Sequence, residues 1–226
     1  MARRCLIGCA AVLIALLLAA PSHARTKPID HYVLALSWSP SFCAASDAES
    51  EAMQCGGSAS YAFVVHGLWP QYSRGWPEYC PAQERWIPDK IISAMLPLMP
   101  SRRLVIHEWR KHGTCSGLSM SAYFGLIQRL FTKVSIPARY LSPARAVTAP
   151  PAAIISDFIE ANPGLNKSMI GLACRPSART ASLTEIRICF SPTGEFTHCS
   201  SRSRSDCQAD TLVLPPPSIP VDEETR

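Results

Sequence analysis

Ten cysteines in 226 residues constrain this chain more than any other feature, because such a set is either a disulfide framework or a group of metal ligands. Their surroundings separate the two. Ala2-Arg3-Arg4, an apolar stretch from Leu6 to Ala20 and Ser22-His23-Ala24 read as the basic, hydrophobic and small-x-small regions of a signal peptide over residues 1–24. The apolar stretch is shorter than the roughly 20 residues a membrane span needs, and no later segment is long and apolar enough to anchor the chain. Leu6-Ile7-Gly8-Cys9 precedes the apolar run instead of ending it, which makes it a poor lipidation box. Export by cleavage is expected, into the periplasm or the medium. Cys5 and Cys9 leave with the signal, and Cys43, Cys55, Cys80, Cys115, Cys174, Cys189, Cys199 and Cys207 remain. An even set in an exported chain predicts four disulfides. No Cys-x-x-Cys pair favours zinc. Spacing alone leaves roughly a hundred pairings open.

The residues after the signal suit one domain, residues 25–212, followed by a proline-rich and acidic flexible tail over 213–226. The formal charge of +5 includes two signal-peptide arginines, so the mature chain tolerates a polyanion without demanding one. Arg202 and Arg204, in a Ser/Arg-rich stretch between Cys199 and Cys207, read as a solvated loop. Strand-like segments fall at His31–Trp38, Tyr61–His66, Thr184–Phe190 and Thr211–Leu214, rich in aliphatic and aromatic residues and bounded by turn formers. Helical spacing predicts Asp89–Met99, with Pro97 ending or kinking it, Ser119–Val134 with a serine cap, and Ala152–Ala161. No internal repeat occurs. Strand runs interrupted by a block of helices predict an α+β fold, a central antiparallel sheet packed with helices.

Three of the six histidines lie in two short segments, Phe63-Val-Val-His-Gly-Leu-Trp-Pro-Gln71 and Ile106-His-Glu-Trp-Arg-Lys-His-Gly-Thr-Cys115. If 107–112 is helical and His107 is the origin, Lys111 falls at about 40°, Glu108 at about 100° and His112 at about 140°, whereas Trp109 and Arg110 fall at about 200° and 300°. The candidate catalytic groups therefore share one face. Gly113 is placed to end the helix and Cys115 to tie its end elsewhere. The zinc motif His-Glu-x-x-His is the obvious rival, but here the histidines are five apart and diverge instead of converging on one ion. A serine hydrolase lacks its Gly-x-Ser-x-Gly elbow. Surface histidines on an amphipathic helix would explain one His, not this cluster together with His66. Trp38 and Trp109 read as core.

Both segments resemble the two active-site signatures of the ribonuclease T2 family, His-Gly-Leu-Trp-Pro and His-Glu-Trp-x-Lys-His-Gly-Thr-Cys, and Tyr32–Cys43 resembles the family's first strand. The resemblance spans about residues 30–210 and implies a metal-independent endoribonuclease with no cofactor, acting as a monomer on single-stranded RNA. RNA supplies its own nucleophile, the 2′-hydroxyl, so one group must take that proton and another must protonate the departing 5′-oxygen. The product is a 2′,3′-cyclic phosphate, and DNA, lacking the nucleophile, should resist. The resemblance makes His112 the base and His66 the acid, although the spacing serves equally with the roles exchanged. Glu108 and Lys111 would stabilise charge on the phosphate, His107 would help hold it, and Trp69 and Gln71 would meet the substrate. Many relatives have aspartate where this chain has Gln71, and plant relatives often have glutamine before the first tryptophan where Leu36 and Ser37 stand here, so little base specificity is expected. The resemblance also implies the pairs Cys43–Cys55, Cys80–Cys115, Cys174–Cys207 and Cys189–Cys199. A T2-like recognition protein with secondary cleavage and a phosphodiesterase acting on small nucleotides are the alternatives.

Overall fold

A computed structural model describes residues 27–46, 51–56, 60–176, 180–200 and 207–217. The expected signal peptide, Arg202, Arg204 and the tail beyond residue 217 lie outside the described residues. Six strands, β1 (His31–Trp38), β2 (Phe63–Gln71), β3 (Val147–Ala149), β4 (Ile170–Pro176), β5 (Ala181–Phe190) and β6 (Leu212–Leu214), form one sheet in the order β2-β1-β5-β6-β3, with β4 also paired to β5. Among the described residues five α-helices accompany it: α1 (Ser39–Cys43), α2 (Asp89–Met95), α3 (Arg102–Lys111), α4 (Met120–Lys133) and α5 (Pro151–Ala161). The fold is α+β, and the sheet is antiparallel except where β6 runs parallel to the start of β5.

Alternation along the two central strands decides which face meets the helices. Tyr32, Leu34, Leu36 and Trp38 of β1, with Ile186, Ile188 and Phe190 of β5, enter a core that also takes Trp109, Tyr123, Ile127 and Phe158 from the helices. Each such burial stabilises the fold by roughly 1.5–3 kcal/mol. Trp38 and Trp109 are core residues, as expected, and each satisfies its indole N–H on a backbone carbonyl, Pro215 at 3.0 Å and Glu84 at 2.8 Å. On the opposite face Val33 packs with Cys189, Cys199 and Trp69.

Several boundaries differ from the sequence expectation for physical reasons. The helix expected over Asp89–Met99 ends at Met95, two residues before Pro97: Leu96 keeps helical angles, φ −53° and ψ −35°, but Pro97 has no N–H with which to carry the hydrogen-bond ladder on. The strand expected over Tyr61–His66 continues to Gln71, and Pro70 is tolerated because β2 is the edge of the sheet. β3 and β4 were not apparent in the sequence: one is three residues long, and the other, Ile-Gly-Leu-Ala-Cys-Arg-Pro, carries glycine, alanine and proline. Four disulfides form, Cys43–Cys55, Cys80–Cys115, Cys174–Cys207 and Cys189–Cys199, the pairs implied by the family resemblance. Among the described residues no helix is long and apolar enough to cross a membrane.

Candidate active site

The first signature is strand from end to end, and its histidine sits at an irregularity. Along β1 the partners step from Ala35↔Gly67 to Leu36↔Val65, so His66 is the extra residue of a β-bulge with no partner opposite. A bulge re-aims the side chain it carries. His66 lies over the face lined by the small residues Ala35 and Ser37 of β1, across which β5 presents Arg187 and Glu185 at the paired positions. The imidazole reaches that carboxylate: Nδ1 is 2.6 Å from Glu185 Oε1, and the other carboxylate oxygen accepts from Arg187 Nε at 2.7 Å.

The second signature is carried by α3, which begins at Arg102 because Ser101 Oγ accepts from the Leu104 N–H at 3.2 Å. Glu108 is buried at 1% exposure. Trp69 Nε1 donates to its Oε2 at 3.0 Å, while its Oε1 lies 3.9 Å from His66 Nε2. Gly67 makes this approach possible, since a Cβ there would come within 1.8 Å of Glu108 Oε2. Helix α3 ends at Lys111, and His112 follows at φ −116° and ψ −47°, leading into a 3₁₀ turn over Gly113–Cys115. Gly113 stands just past the helix cap, where the sequence reading placed it, without a positive φ. Its missing side chain admits the Trp109 ring, whose Cε3 would lie 2.3 Å from a Cβ.

Trp69 stands between the two histidines, with ring centroids 5.3 Å from His66 and 5.6 Å from His112, and the Arg187 guanidinium lies 5.2 Å from its ring centroid. Two hollows open on either side. The larger, about 430 Å³, is lined by Ser37, Phe42, Glu51, Gln54, Val64, His66, Arg103, Leu104 and His107. The smaller, about 220 Å³, is lined by Val33, Trp69, Gln71, Trp76, Lys111, His112 and Arg187. The one-sided cluster expected from ideal helix angles is thus divided between two hollows: His107 lines the first, Lys111 and His112 the second, and Glu108 is buried against Trp69 and Gly67. Gln71 is itself buried, its amide nitrogen turned to the carbonyls of Pro70 at 3.2 Å and Trp69 at 3.4 Å.

The titratable groups sit in contrasting fields. Burial lowers the proton affinity of His66, but the hydrogen bond and charge of Glu185, with the charge of Glu108, outweigh it and raise the imidazole above its ordinary value. Burial dominates at His112, and the charges of Lys111, His107 and His66 act in the same direction, pressing it down to about 3. The buried His112 Nδ1 has no hydrogen-bond partner among the described residues. Burial pushes the Glu108 carboxyl up to about 7 against the opposing pull of His66, Trp69 and Lys111. For Glu185 burial is outweighed by His66 and Arg187, which hold the carboxyl below its ordinary range. Lys111 is paired with Glu78 at 3.6 Å, from the loop that Cys80–Cys115 ties to the end of α3. Such a constellation has one imidazole favoured in its charged form and one favoured neutral on either side of an indole, with a carboxyl of raised proton affinity beside them, and can donate and accept one proton each at neighbouring points.

Glu185 and Arg187 are site residues that sequence reasoning missed. They lie in Thr184–Phe190, read only as a strand, and the one available signal is a charged pair at alternate positions of an otherwise apolar central strand.

The chain is 45% identical to a ribonuclease of Aeromonas hydrophila over 122 residues, 54% of each protein, and 29% identical to a probable ribonuclease of Haemophilus influenzae over 187 residues, 77% of this chain and 62% of that one. It therefore spans only about half to three-fifths of the length of these curated relatives. Among solved structures, ribonuclease MC1 from bitter gourd seeds superposes with a TM-score of 0.61 at 25% identity, covering 81% of this chain and 98% of that one. A variant of the same plant enzyme was solved in complex with 5′-GMP, with a TM-score of 0.60 at 25% identity and the same coverage. The family model described as the Ribonuclease T2 family matches residues 29–199, and the chain belongs to that family.

Proposed function

We propose that this chain is an exported endoribonuclease that cleaves single-stranded RNA by transphosphorylation, with His112 as base and His66 as acid. The observation that carries this reading is the opposite surroundings of the two imidazoles flanking Trp69. His66 is backed by a carboxylate that favours its protonated form, whereas His112 is buried beside Lys111, which favours the neutral ring. A neutral imidazole takes the 2′-hydroxyl proton as that oxygen attacks phosphorus, and a charged one protonates the 5′-oxygen as it departs, leaving a 2′,3′-cyclic phosphate. Glu108, neutral below about pH 7, offers the phosphoryl oxygens a hydrogen bond without repelling their charge. Lys111 opposes that charge as it grows in the transition state, and His107 faces the same RNA from the larger hollow. Trp69 walls the smaller hollow, and Gln71, which also lines it but has its amide nitrogen turned to backbone carbonyls, offers a base little to discriminate by. The nucleotide held by the plant relative supports RNA as the class of ligand, and four disulfides support an oxidising compartment, periplasmic or extracellular.

The test is cleavage of RNA homopolymers by the mature protein, with cyclic-phosphate ends detected directly. His66→Ala and His112→Ala should each lower kcat/KM by about a hundredfold or more, and all four homopolymers should be cut. An active His112→Ala protein would overturn the reading.

A further inference from the structure

Behind His66 lie a carboxylate and a guanidinium that two-histidine chemistry does not by itself require. Glu185 is 6% exposed on a central strand, an expensive place for a charge unless it is paired. Both of its oxygens are engaged: Oε1 with His66 Nδ1 at 2.6 Å, and Oε2 with Arg187 Nε at 2.7 Å. Arg187 is in turn braced against the Trp69 ring, and Trp69 holds Glu108 on the far side of His66. The two carboxylates near this imidazole are therefore unlike. Glu185 meets Nδ1 from behind and is ionised, whereas Glu108 faces Nε2 from the front and is held largely protonated by burial. The charged and titratable groups facing His66 are Glu185 and Arg187 from β5, His107 and Glu108 from α3, and His112 just beyond the end of α3.

We propose that Glu185, braced by Arg187, is the positioning residue of the proton-donating histidine, fixing the His66 ring so that Nε2–H faces the departing 5′-oxygen. This rests on the reading of His66 as the acid. In the step it serves, the bond from phosphorus to the 5′-oxygen breaks, that oxygen takes the Nε2 proton, and the ring is left neutral with its remaining proton on Nδ1, donated to Glu185. Arg187 occupies the second oxygen, so the carboxylate neither turns away nor takes the Nδ1 proton for itself. The bulge that leaves His66 unpartnered on β1, and the small side chains of Ala35 and Ser37, give the ring its line to β5. An orienting carboxylate behind an imidazole works in this way wherever the ring must hold one tautomer.

The experiment combines Glu185→Gln with NMR titration of the His66 ring and pH profiles of kcat/KM on RNA and on uridine 3′-(4-nitrophenyl phosphate), whose leaving group needs little protonation. In E185Q the His66 titration should fall, and the alkaline limb of the RNA profile should move to lower pH by the same amount. The rate above that limb should drop about tenfold per unit moved, with KM little changed. The nitrophenyl ester should lose far less, and Glu185→Asp should recover part of the RNA rate. Arg187→Gln, a second variant in case E185Q does not fold, should not move the His66 titration downward, because it removes a positive charge near the ring, yet should still lower kcat on RNA. An unmoved limb in E185Q, or equal losses on both substrates, would overturn the positioning role while His66→Ala remains inactive. A fully active His66→Ala would sink the acid assignment and this proposal together, whatever the NMR titration reads.

Discussion

At the residue scale the site depends on four side chains whose proton affinities are set by what surrounds them. His112 is pressed down to about 3 and so is neutral above that, while His66 is held above 6.5 and stays charged until the pH passes that value. Both are in their working forms together from above about 3 to beyond 6.5. The expected kcat/KM profile is accordingly a plateau across mildly acid pH that falls above the usual histidine range, and a rate still climbing between pH 6 and 8 would contradict the assignment of roles. Glu108 makes a separate prediction in stability. Its folded value, about 7, exceeds the ordinary 4.5, so the fold keeps full stability below 4.5 and loses it as the pH rises through 7, by on the order of 3 kcal/mol. Glu108→Gln removes the ionisation. Urea unfolding at pH 5 and pH 8 should show the wild type weakening between the two and E108Q weakening less, and identical differences would refute the burial argument.

At the scale of the element, a strand irregularity and a pinned helix bring the signatures together. The bulge at His66 and the absent side chain of Gly67 let the edge strand β2 present an imidazole and admit Glu108 from α3 within one turn of chain. Helix α3 is capped at one end by Ser101, and beyond its other end Cys115 is bonded to Cys80. That bond also fixes the loop carrying Glu78 against Lys111 and Tyr79, whose N–H donates to the Lys111 carbonyl at 2.8 Å despite a φ of +53°. A left-handed tyrosine is costly without such restraint. Cys115→Ser should lower the unfolding free energy by about 2–5 kcal/mol, read by denaturant titration, and cleavage at low temperature should suffer less than stability. Wild-type stability in the variant would show that the clamp carries no load.

At the scale of the whole molecule the sheet is the device that joins distant sequence. Because the proposed proton traffic runs between protein groups and the substrate's own hydroxyl, a chelator should leave RNA turnover unchanged and DNA should survive, and a rate abolished by EDTA would count against the mechanism. Much of this was legible beforehand. Runs of aliphatic and aromatic residues bounded by turn formers marked β1 and most of β5, helical spacing marked α4 and α5, and the two signatures marked His66, Trp69, Gln71, His107, Glu108, Lys111 and His112 as candidates, because these are patterns of near neighbours in the chain. The short strands β3 and β4 were not legible, since their residues have weak preference for a strand and adopt one only where a partner edge is waiting. Nor was the extent of the site. Glu185 and Arg187 are more than a hundred residues from His66 and reach it only because β1 lies between β2 and β5 with small side chains on the shared face. The sequence by itself marked the groups proposed to carry the protons, through residue type and the resemblance of its two signatures. Only the tertiary structure decided which imidazole holds its proton more tightly, because that depends on burial and on a carboxylate supplied by another strand.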